Sequence, residues 1–238
     1  AGLQRDAAPA HGRHPAWGSF LHIEAIPQDQ QRGDWTKGQR GFVYAAGDAE
    51  TWSRVEPGAE VVTFTRWVDS HLRVESVDRE HRIVRFANPN VFELLPGDLY
   101  RIEGAPGLLD ESAEWCVVAD RVRVKSKTKP EGGVVPRLST LVRLAGEPEA
   151  GKFIEHVEFR AIEFAHARWW FDDSNKVAWP SKDVIGFVQA AHGAPGAIVG
   201  VGAQHVTFDH CRIAHTEAYA LELGEACREN TLRHCIIT

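Results

Sequence analysis

The sequence predicts an all-β fold, in which an antiparallel β module precedes the start of a parallel β-helix. The main observation is a sequence repeat towards the C-terminus. Residues His156–His166 reappear as His205–His215, and a shorter copy occupies Asn230–Ile237. β-branched and aromatic residues stand at every second position of these copies, which is typical of strands rather than helices. Repeats of this kind indicate units that stack and bury one another.

Each copy follows a short apolar run that ends near a glycine. These runs are expected to pair in parallel as successive rungs, and they begin at Leu141, Ile198 and Ala220. His205 lies 49 residues after His156, whereas one coil needs only about half of that length. The first coil is therefore predicted to contain an insertion at about residues 167–195.

The four cysteines do not show the C-x-x-C spacing of zinc or redox sites. Cys211 and Cys235 hold the same place in the second and third copies, 24 residues apart. They are expected to lie about 4.8 Å apart, the distance between neighbouring strands. Stacked, buried thiols are favoured over a metal site or a disulfide, because free cysteine packs as a small apolar residue.

The part of the chain before the repeats contains short alternating strands separated by turn dipeptides such as Pro57-Gly58 and Pro96-Gly97. We predict three regions. Residues 1–40 form an extended N-terminal segment, 41–136 an antiparallel β module, and 137–238 the first coils of the helix, truncated at the C-terminus. The strands predicted in the module are Phe42–Ala45, Glu60–Arg66, Leu72–Val77, Ile83–Phe86, Leu99–Ile102, Trp115–Val118 and Val122–Val124.

Composition excludes several classes of function. The 238 residues are 43% hydrophobic and have a net charge of −6, whereas a nucleic-acid-binding surface is basic. No apolar run approaches the roughly 20 residues of a membrane span. The chain has no methionine and ends inside a repeat, so we expect it to be a fragment of a longer protein.

Three further segments are informative, namely Trp67–Asp78, Leu108–Trp115 and His215–Gly224. They resemble glycoside hydrolase family 141, a family of right-handed parallel β-helix proteins of bacterial polysaccharide breakdown. The family has a tyrosine-rich strand pair after the Glu-Trp step, whereas this sequence has Cys116–Val122 there.

The resemblance implies a glycosidase that acts on plant cell-wall polysaccharide, either xylan or pectin side chains. It implies a polysaccharide or oligosaccharide partner and a secreted or periplasmic location. No cofactor and no metal-binding residue are predicted from the sequence. The aspartates proposed as catalytic in the family lie in coils beyond Thr238, so no catalytic residue is carried over. The isolated chain is expected to lack hydrolytic activity.

Outward residues on stacked strands are the first candidates for a site, since glycoside hydrolysis usually needs two carboxyl groups at a defined spacing. If Leu221 and Leu223 point inwards, Glu222 points outwards, in one column with Gly200 and Arg143. Two strand spacings separate the ends of this column, roughly 9.6 Å. Arg143 would donate hydrogen bonds to a sugar, and Glu222 would accept them or act as an acid. A solvated surface pair is the alternative.

The insertion offers the second set of candidates. Its aromatic residues stand beside carboxylates, a pattern that suits pyranose rings, because apolar C–H faces stack on indoles and hydroxyls bond to Asp. The alternative is that the tryptophans pack the loop onto the scaffold. The residues are Trp169, Trp170 and Trp179 as binding residues, with Asp173 as a further binding residue and Asp172 as a weak catalytic candidate.

Histidines occupy equivalent corners of neighbouring coils. His166 and His215 are one rung apart, so a shared site is a hypothesis, with His215 as a weak catalytic candidate. A corner hydrogen bond is the alternative. His210 and His234 form another outward column, interpreted as surface, and Asp209 is interpreted as a cap of turn amides.

Three functions therefore remain open. The first is a glycoside hydrolase, and the second is a carbohydrate-binding or adhesive protein without catalysis. The third is a structural solenoid whose aromatic loop makes an oligomer contact. The fold alone does not separate them.

Overall fold

The computed structural model describes residues 12–15, 18–112, 114–118, 121–127, 134–168 and 194–238. These residues fall into two compact units. The first contains the described residues up to 127, and the second contains those from 134 onwards. Strands dominate both units, which confirms the all-β class. Among the described residues, no helix has the length and apolar character needed to cross a membrane.

The first unit is an antiparallel barrel. Its strands are β1 (Arg13–His14), β2 (Leu21–Ala25), β3 (Gly41–Tyr44), β4 (Glu60–Thr65), β5 (Val68–Asp78), β6 (Ile83–Phe86) and β7 (Leu99–Glu103). The order around the barrel is β7, β2, β3, β6, β5 and β4, and β4 also pairs with β7. That last pairing closes a ring of six strands. Strand β1 pairs with Ile102 and Glu103 of β7, beyond Leu99 and Tyr100, which pair with β2.

The strands of this unit pair antiparallel, as expected from the sequence, but they close into a barrel, which was not predicted from the sequence. Closure comes from pairs such as Glu60 with Glu103 and Val61 with Ile102, which join strands that are distant in sequence. Alternation of polar and apolar residues identifies a strand and its buried face, but it does not identify the partner of an edge strand. A closed ring leaves no exposed edges, which protects the strands from pairing with other chains.

Aromatic side chains fill the barrel. The short helix α1 (Ala49–Ser53) places Trp52 in the interior, where its indole stacks on Tyr44 with centroids 5.0 Å apart. The Trp52 Nε1–H donates a hydrogen bond of 3.0 Å to the Tyr100 hydroxyl. Burial raises the pKa of Tyr100 well above its usual range, so its hydroxyl is neutral. The polar atoms of these two large buried rings therefore satisfy each other.

The described chain continues through a hairpin of β8 (Trp115–Val118) and β9 (Arg121–Val124) to the second unit. The strands there are β10 (Val142–Ala145), β11 (Ile154–Glu155), β12 (Glu158–Arg160), β13 (Glu163–Ala167), β14 (Gly196–Val201), β15 (Ala203–Gln204), β16 (Thr207–Asp209), β17 (Arg212–Thr216), β18 (Tyr219–Leu223), β19 (Thr231–Arg233) and β20 (Ile236–Ile237). They form four parallel sheets, ordered β10-β14-β18, β11-β15, β12-β16-β19 and β13-β17-β20.

The parallel pairing of the repeats is confirmed. Val142 faces Ile198, and Ile198 faces Leu221, so the three predicted rungs lie side by side. The repeated segments also pair in the expected order, since Phe208 faces both Phe159 and Leu232. Sequence repeats identify equivalent positions, and in this unit equivalent positions are neighbours.

The predicted right-handed parallel β-helix is not indicated and is corrected to these parallel sheets. Each sheet has only two or three described strands. A repeat predicts which residues pair, but the hand and continuity of a helix depend on the connections between sheets. The connection from the first copy to the second includes residues 169–193, which lie outside the described residues.

The repeats bury a shared apolar interior. Phe159 and Phe208 stack with centroids 4.9 Å apart and nearly parallel rings, and Phe164 meets Phe208 edge-on. Cys211 and Cys235 pack in the same cluster. Each thiol donates to a carbonyl of the preceding rung, Phe159 O for Cys211 and Phe208 O for Cys235. The two cysteines are free thiols, as the packing interpretation expects.

Histidines occupy many of the sharp corners between strands of this unit. They adopt positive φ angles between 53° and 65°, and they are His156, His166, His205, His210, His215 and His234. A left-handed backbone is unfavourable for most residues with a side chain, although Asn, Asp and His adopt it more often than others. Corners on adjacent rungs align, so imidazoles stack. The centroids of His156 and His205 are 5.0 Å apart, with rings 6° from parallel.

The left-handed corner leads to a stability prediction. Replacing His156→Val should lower the free energy of unfolding by about 1–2 kcal/mol relative to His156→Asn, because a β-branched residue fits positive φ poorly and Asn tolerates it. Urea unfolding of the two variants followed by circular dichroism measures this difference. Equal midpoints for the two variants would show that the corner is not held in the left-handed conformation.

A second prediction concerns His71 on β5. Burial lowers its pKa, but the hydrogen bond and charge of Glu60 outweigh burial, and the net pKa is raised. A raised folded pKa stabilises the barrel below the unfolded value of about 6.5, and this contribution is lost as pH rises through the folded pKa.

The barrel of the natural sequence should therefore lose stability as pH rises above about 6.5, and the Glu60→Gln variant should show a flatter profile. Urea midpoints of both proteins, measured from below to above this pH, test the coupling. Identical slopes for the two proteins would contradict it.

Candidate functional site

A two-residue turn in the first unit places a tryptophan at the protein surface. Thr65 pairs with Val68, so only Arg66 and Trp67 connect β4 to β5. Arg66 has a φ of 55°, a conformation that most residues with a Cβ avoid. Trp67 is 58% exposed at the tip of this turn. Two-residue hairpin turns commonly have a positive φ at their first residue, because this conformation matches the twist of the flanking strands.

A second exposed tryptophan lies beside the first. Trp35 is 44% exposed, and its ring centroid is 6.3 Å from that of Trp67. Phe92, which is fully buried, lies against both indoles, with centroids 5.5 Å from Trp35 and 5.3 Å from Trp67. We name Trp35, Trp67 and Phe92 the tryptophan platform. Phe92 packs against both outer rings, and both remain partly exposed.

Buried hydrogen bonds hold the loop that carries Phe92. The Thr63 hydroxyl of β4 donates to Asn90 Oδ1 over 2.6 Å, and Asn90 Nδ2 donates to the Phe92 carbonyl over 2.7 Å. A Cβ at Gly38 would lie 1.9 Å from the Asn90 carbonyl oxygen, so only glycine fits there. The Glu93 amide donates to the Trp35 carbonyl over 3.0 Å. The two loops under the platform are thus fixed to each other and to the barrel wall.

Charged groups border the platform. The Arg66 guanidinium lies 5.1 Å from the centroid of the Trp35 ring, within the range of a cation–π interaction. Asp34 precedes Trp35, and hydrogen bonds from the Thr36 hydroxyl and amide lower its pKa, so it is ionised. A flat ligand with an apolar face and polar edges could therefore stack on the indoles and bond to the charged groups around them.

The second unit carries the outward column predicted from the sequence, with one change. Arg143 faces Val199, and Val199 faces Glu222, so valine lies between the two charged residues instead of Gly200. Gly200 is buried and pairs with Leu144 and Leu223. The two charged side chains are exposed, and Glu222 Oε2 accepts a hydrogen bond of 3.4 Å from the Gly196 amide.

The predicted histidine pair is brought together. The rings of His166 and His215 stack with centroids 4.9 Å apart and planes 5° from parallel. Both residues have positive φ angles. Their proximity therefore follows from the equivalent corners that they occupy, and their role as an acid, base or ligand stays a hypothesis.

The remaining candidates belong to the predicted insertion. Trp169, Trp170, Asp172, Asp173 and Trp179 lie outside the described residues. Their proposed contacts with sugar therefore stay predictions from the sequence.

A cluster around Asp209 was not predicted as a site. Asp209 is buried, and its side chain is only 5% exposed. Its Oδ1 lies 2.7 Å from His210 Nδ1 and 3.3 Å from His234 Nδ1. Its Oδ2 lies 3.1 Å from a guanidinium nitrogen of Arg233 and 3.4 Å from one of Arg160. The signal in the sequence was the alignment of Asp209-His210 with Arg233-His234 in successive copies.

These contacts keep the Asp209 carboxylate charged. The hydrogen bond from Arg233 is the largest influence and lowers the pKa of Asp209 far below its usual range, against the opposing effect of desolvation. Asp209 therefore binds side chains, whereas the sequence suggested that it caps turn amides. A buried carboxylate with this many donors organises the corner between β16 and β17.

Comparison with known proteins gives one informative match. No protein-family model and no curated protein matches the sequence. A solved structure named "Glycoside hydrolase" matches 95% of this chain with a TM-score of 0.64 and 17% sequence identity. The match covers 44% of that protein, so this chain spans less than half of its length. At this identity the likeness concerns the fold, and the chain has a fold like that of part of a glycoside hydrolase.

Proposed function

We propose that the chain belongs to a carbohydrate-active protein and that the tryptophan platform binds sugar rings. The observation that carries the proposal is the pair of exposed indoles, Trp35 and Trp67, anchored on the buried Phe92. Large aromatic side chains gain free energy by burial, so the exposed parts of the two indoles offer area on which an apolar face of a ligand can pack.

The chemistry of the platform favours a sugar over other flat ligands. A pyranose ring has an apolar C–H face that packs on indole, and hydroxyl groups at its rim that bond to groups such as Arg66 and Asp34. Nucleic-acid bases also stack on aromatic rings, but their phosphates require a basic surface, and this chain has a net charge of −6. The fold shared with a protein named glycoside hydrolase supports the same ligand class.

In its finer form, the proposal is a glycoside hydrolase of family 141 type that acts on xylan or pectin side chains outside the cytoplasm. Arg143 donates hydrogen bonds to the polysaccharide, and Glu222 accepts them or acts as an acid. The aromatic and acidic residues of the insertion extend the binding surface, namely Trp169, Trp170, Asp172, Asp173 and Trp179.

A second candidate function is carbohydrate binding without hydrolysis. The outward column supports it, because among its described members only Glu222 is a carboxylate, and Val199 separates Glu222 from Arg143. Glycoside hydrolysis usually requires two carboxyl groups at a fixed separation. We therefore expect the isolated 238 residues to bind oligosaccharides without releasing reducing sugar, and reducing sugar released from xylan or pectin would contradict this.

The platform is tested by the substitution Trp67→Ala. Calorimetric titration with xylo-oligosaccharides and pectin-derived oligosaccharides should show at least about tenfold weaker binding, because the most exposed stacking surface is lost. Trp67→Phe should retain part of the affinity. Phe20→Ala is the matched control, since it removes an exposed ring of the same unit outside the platform. Unchanged affinity in Trp67→Ala, or no binding by the natural sequence, would refute the proposal.

The outward column is tested by Glu222→Gln and Arg143→Gln. Each should weaken oligosaccharide binding by about five- to tenfold. This change corresponds to the loss of one hydrogen bond that contributes about 1–1.5 kcal/mol to the binding free energy. Glu225→Gln changes an exposed carboxylate two residues beyond β18 and serves as the control. If Glu222→Gln binds as tightly as the natural sequence, Glu222 is not part of the site.

A further inference from the structure

The corner after β16 and β19 places three metal-ligating groups together. Asp209 faces Arg233 in the parallel ladder, so the next residues, His210 and His234, occupy equivalent corners. Their φ angles are 54° and 55°, and their ring centroids are 4.5 Å apart. Both Nδ1 atoms lie against one carboxylate oxygen of Asp209, Oδ1.

The position of the cluster resembles that of an open metal site. The Asp209 side chain is 5% exposed, whereas those of His210 and His234 are 62% and 65% exposed. The buried Asp209 is thus a fixed ligand, while the exposed side chains of His210 and His234 have room to change their orientation. Solvent reaches the side opposite Asp209, which leaves coordination positions for water or for an oxygen of a bound molecule.

The two arginines act on the other side of the carboxylate. Arg233 and Arg160 approach Oδ2, whereas both imidazoles approach Oδ1. Groups that bond to the distal oxygen of a ligating carboxylate fix its orientation, as outer partners do in protein metal sites. Glu158 lies 2.7 Å from Arg160 and 3.5 Å from Arg233 and offsets part of their positive charge.

We propose that Asp209, His210 and His234 form a binding site for a divalent transition metal of the Zn²⁺ class. The proposal goes beyond carbohydrate binding and does not depend on it. The three ligand atoms lie within 4.8 Å of one another. Bonds of about 2.1 Å in a tetrahedral arrangement would place them roughly 3.4 Å apart. The His234 contact of 3.3 Å already has this length, and the exposed His210 ring needs to move outwards from 2.7 Å.

The donor set identifies the class of metal. Two imidazole nitrogens and one carboxylate oxygen suit Zn²⁺, Ni²⁺ and Cu²⁺, while Ca²⁺ and Mg²⁺ prefer a full set of oxygens. Without a metal, the same imidazoles hydrogen-bond to Asp209. The metal therefore replaces hydrogen bonds of the exposed imidazoles and leaves the contacts of the arginines with Oδ2 in place.

The experiment is a calorimetric titration of the tag-free chain with ZnCl₂. We expect one bound ion per chain. The midpoint of thermal unfolding should rise when Zn²⁺ is added and return to its metal-free value when EDTA removes the metal. His210→Ala and His234→Ala should each weaken Zn²⁺ binding at least about tenfold. His156→Ala is the matched control, because it removes an exposed, stacked histidine from another left-handed corner.

Each outcome decides the proposal. Zn²⁺ binding that is lost in both ligand variants and kept in His156→Ala supports it. Absence of binding, or equal weakening by His156→Ala, overturns it and leaves the cluster as a hydrogen-bonded corner. Circular dichroism of the metal-free variants shows whether they fold, and His234→Gln provides a second, milder substitution. MgCl₂ in place of ZnCl₂ should give no comparable heat.

Discussion

Strand β4 is the element on which the first unit depends. It pairs with β5 on one side and with β7 on the other, so the closed ring of strands requires it. Its Thr63 binds Asn90 and thereby holds the loop that carries Phe92. Its C-terminal end enters the turn that presents Trp67. Barrel closure and display of the platform are therefore two consequences of the same backbone pairing.

Register has the same importance in the second unit. A one-residue shift in a strand moves every side chain to the opposite face. The parallel pairing of Asp209 with Arg233 places a carboxylate beside a guanidinium and sets the next two residues, His210 and His234, over one oxygen. The proposed metal site therefore depends on backbone pairing as much as on the residue types.

The sequence was sufficient for part of this structure. Period-two alternation located β4, β6 and β8, and the repeats identified which strands pair in parallel. It was insufficient for barrel closure, which depends on contacts between strands distant in the chain. The prediction that Gly200 lies between Arg143 and Glu222 was wrong for a different reason. The predicted register was one residue away from the true one, so Gly200 took the place of Val199. The platform was missed because Trp35, Trp67 and Phe92 stand in separate loops and meet only in the folded barrel.

If the two indoles form a surface for sugar, a crystal structure of the chain with a bound xylo-oligosaccharide or pectin oligosaccharide should show it. We expect a pyranose ring packed face-on against Trp67, with its hydroxyls near Arg66 or Asp34. A ring bound elsewhere with the platform left open to solvent, or Trp67 covered by the protein itself, would contradict it.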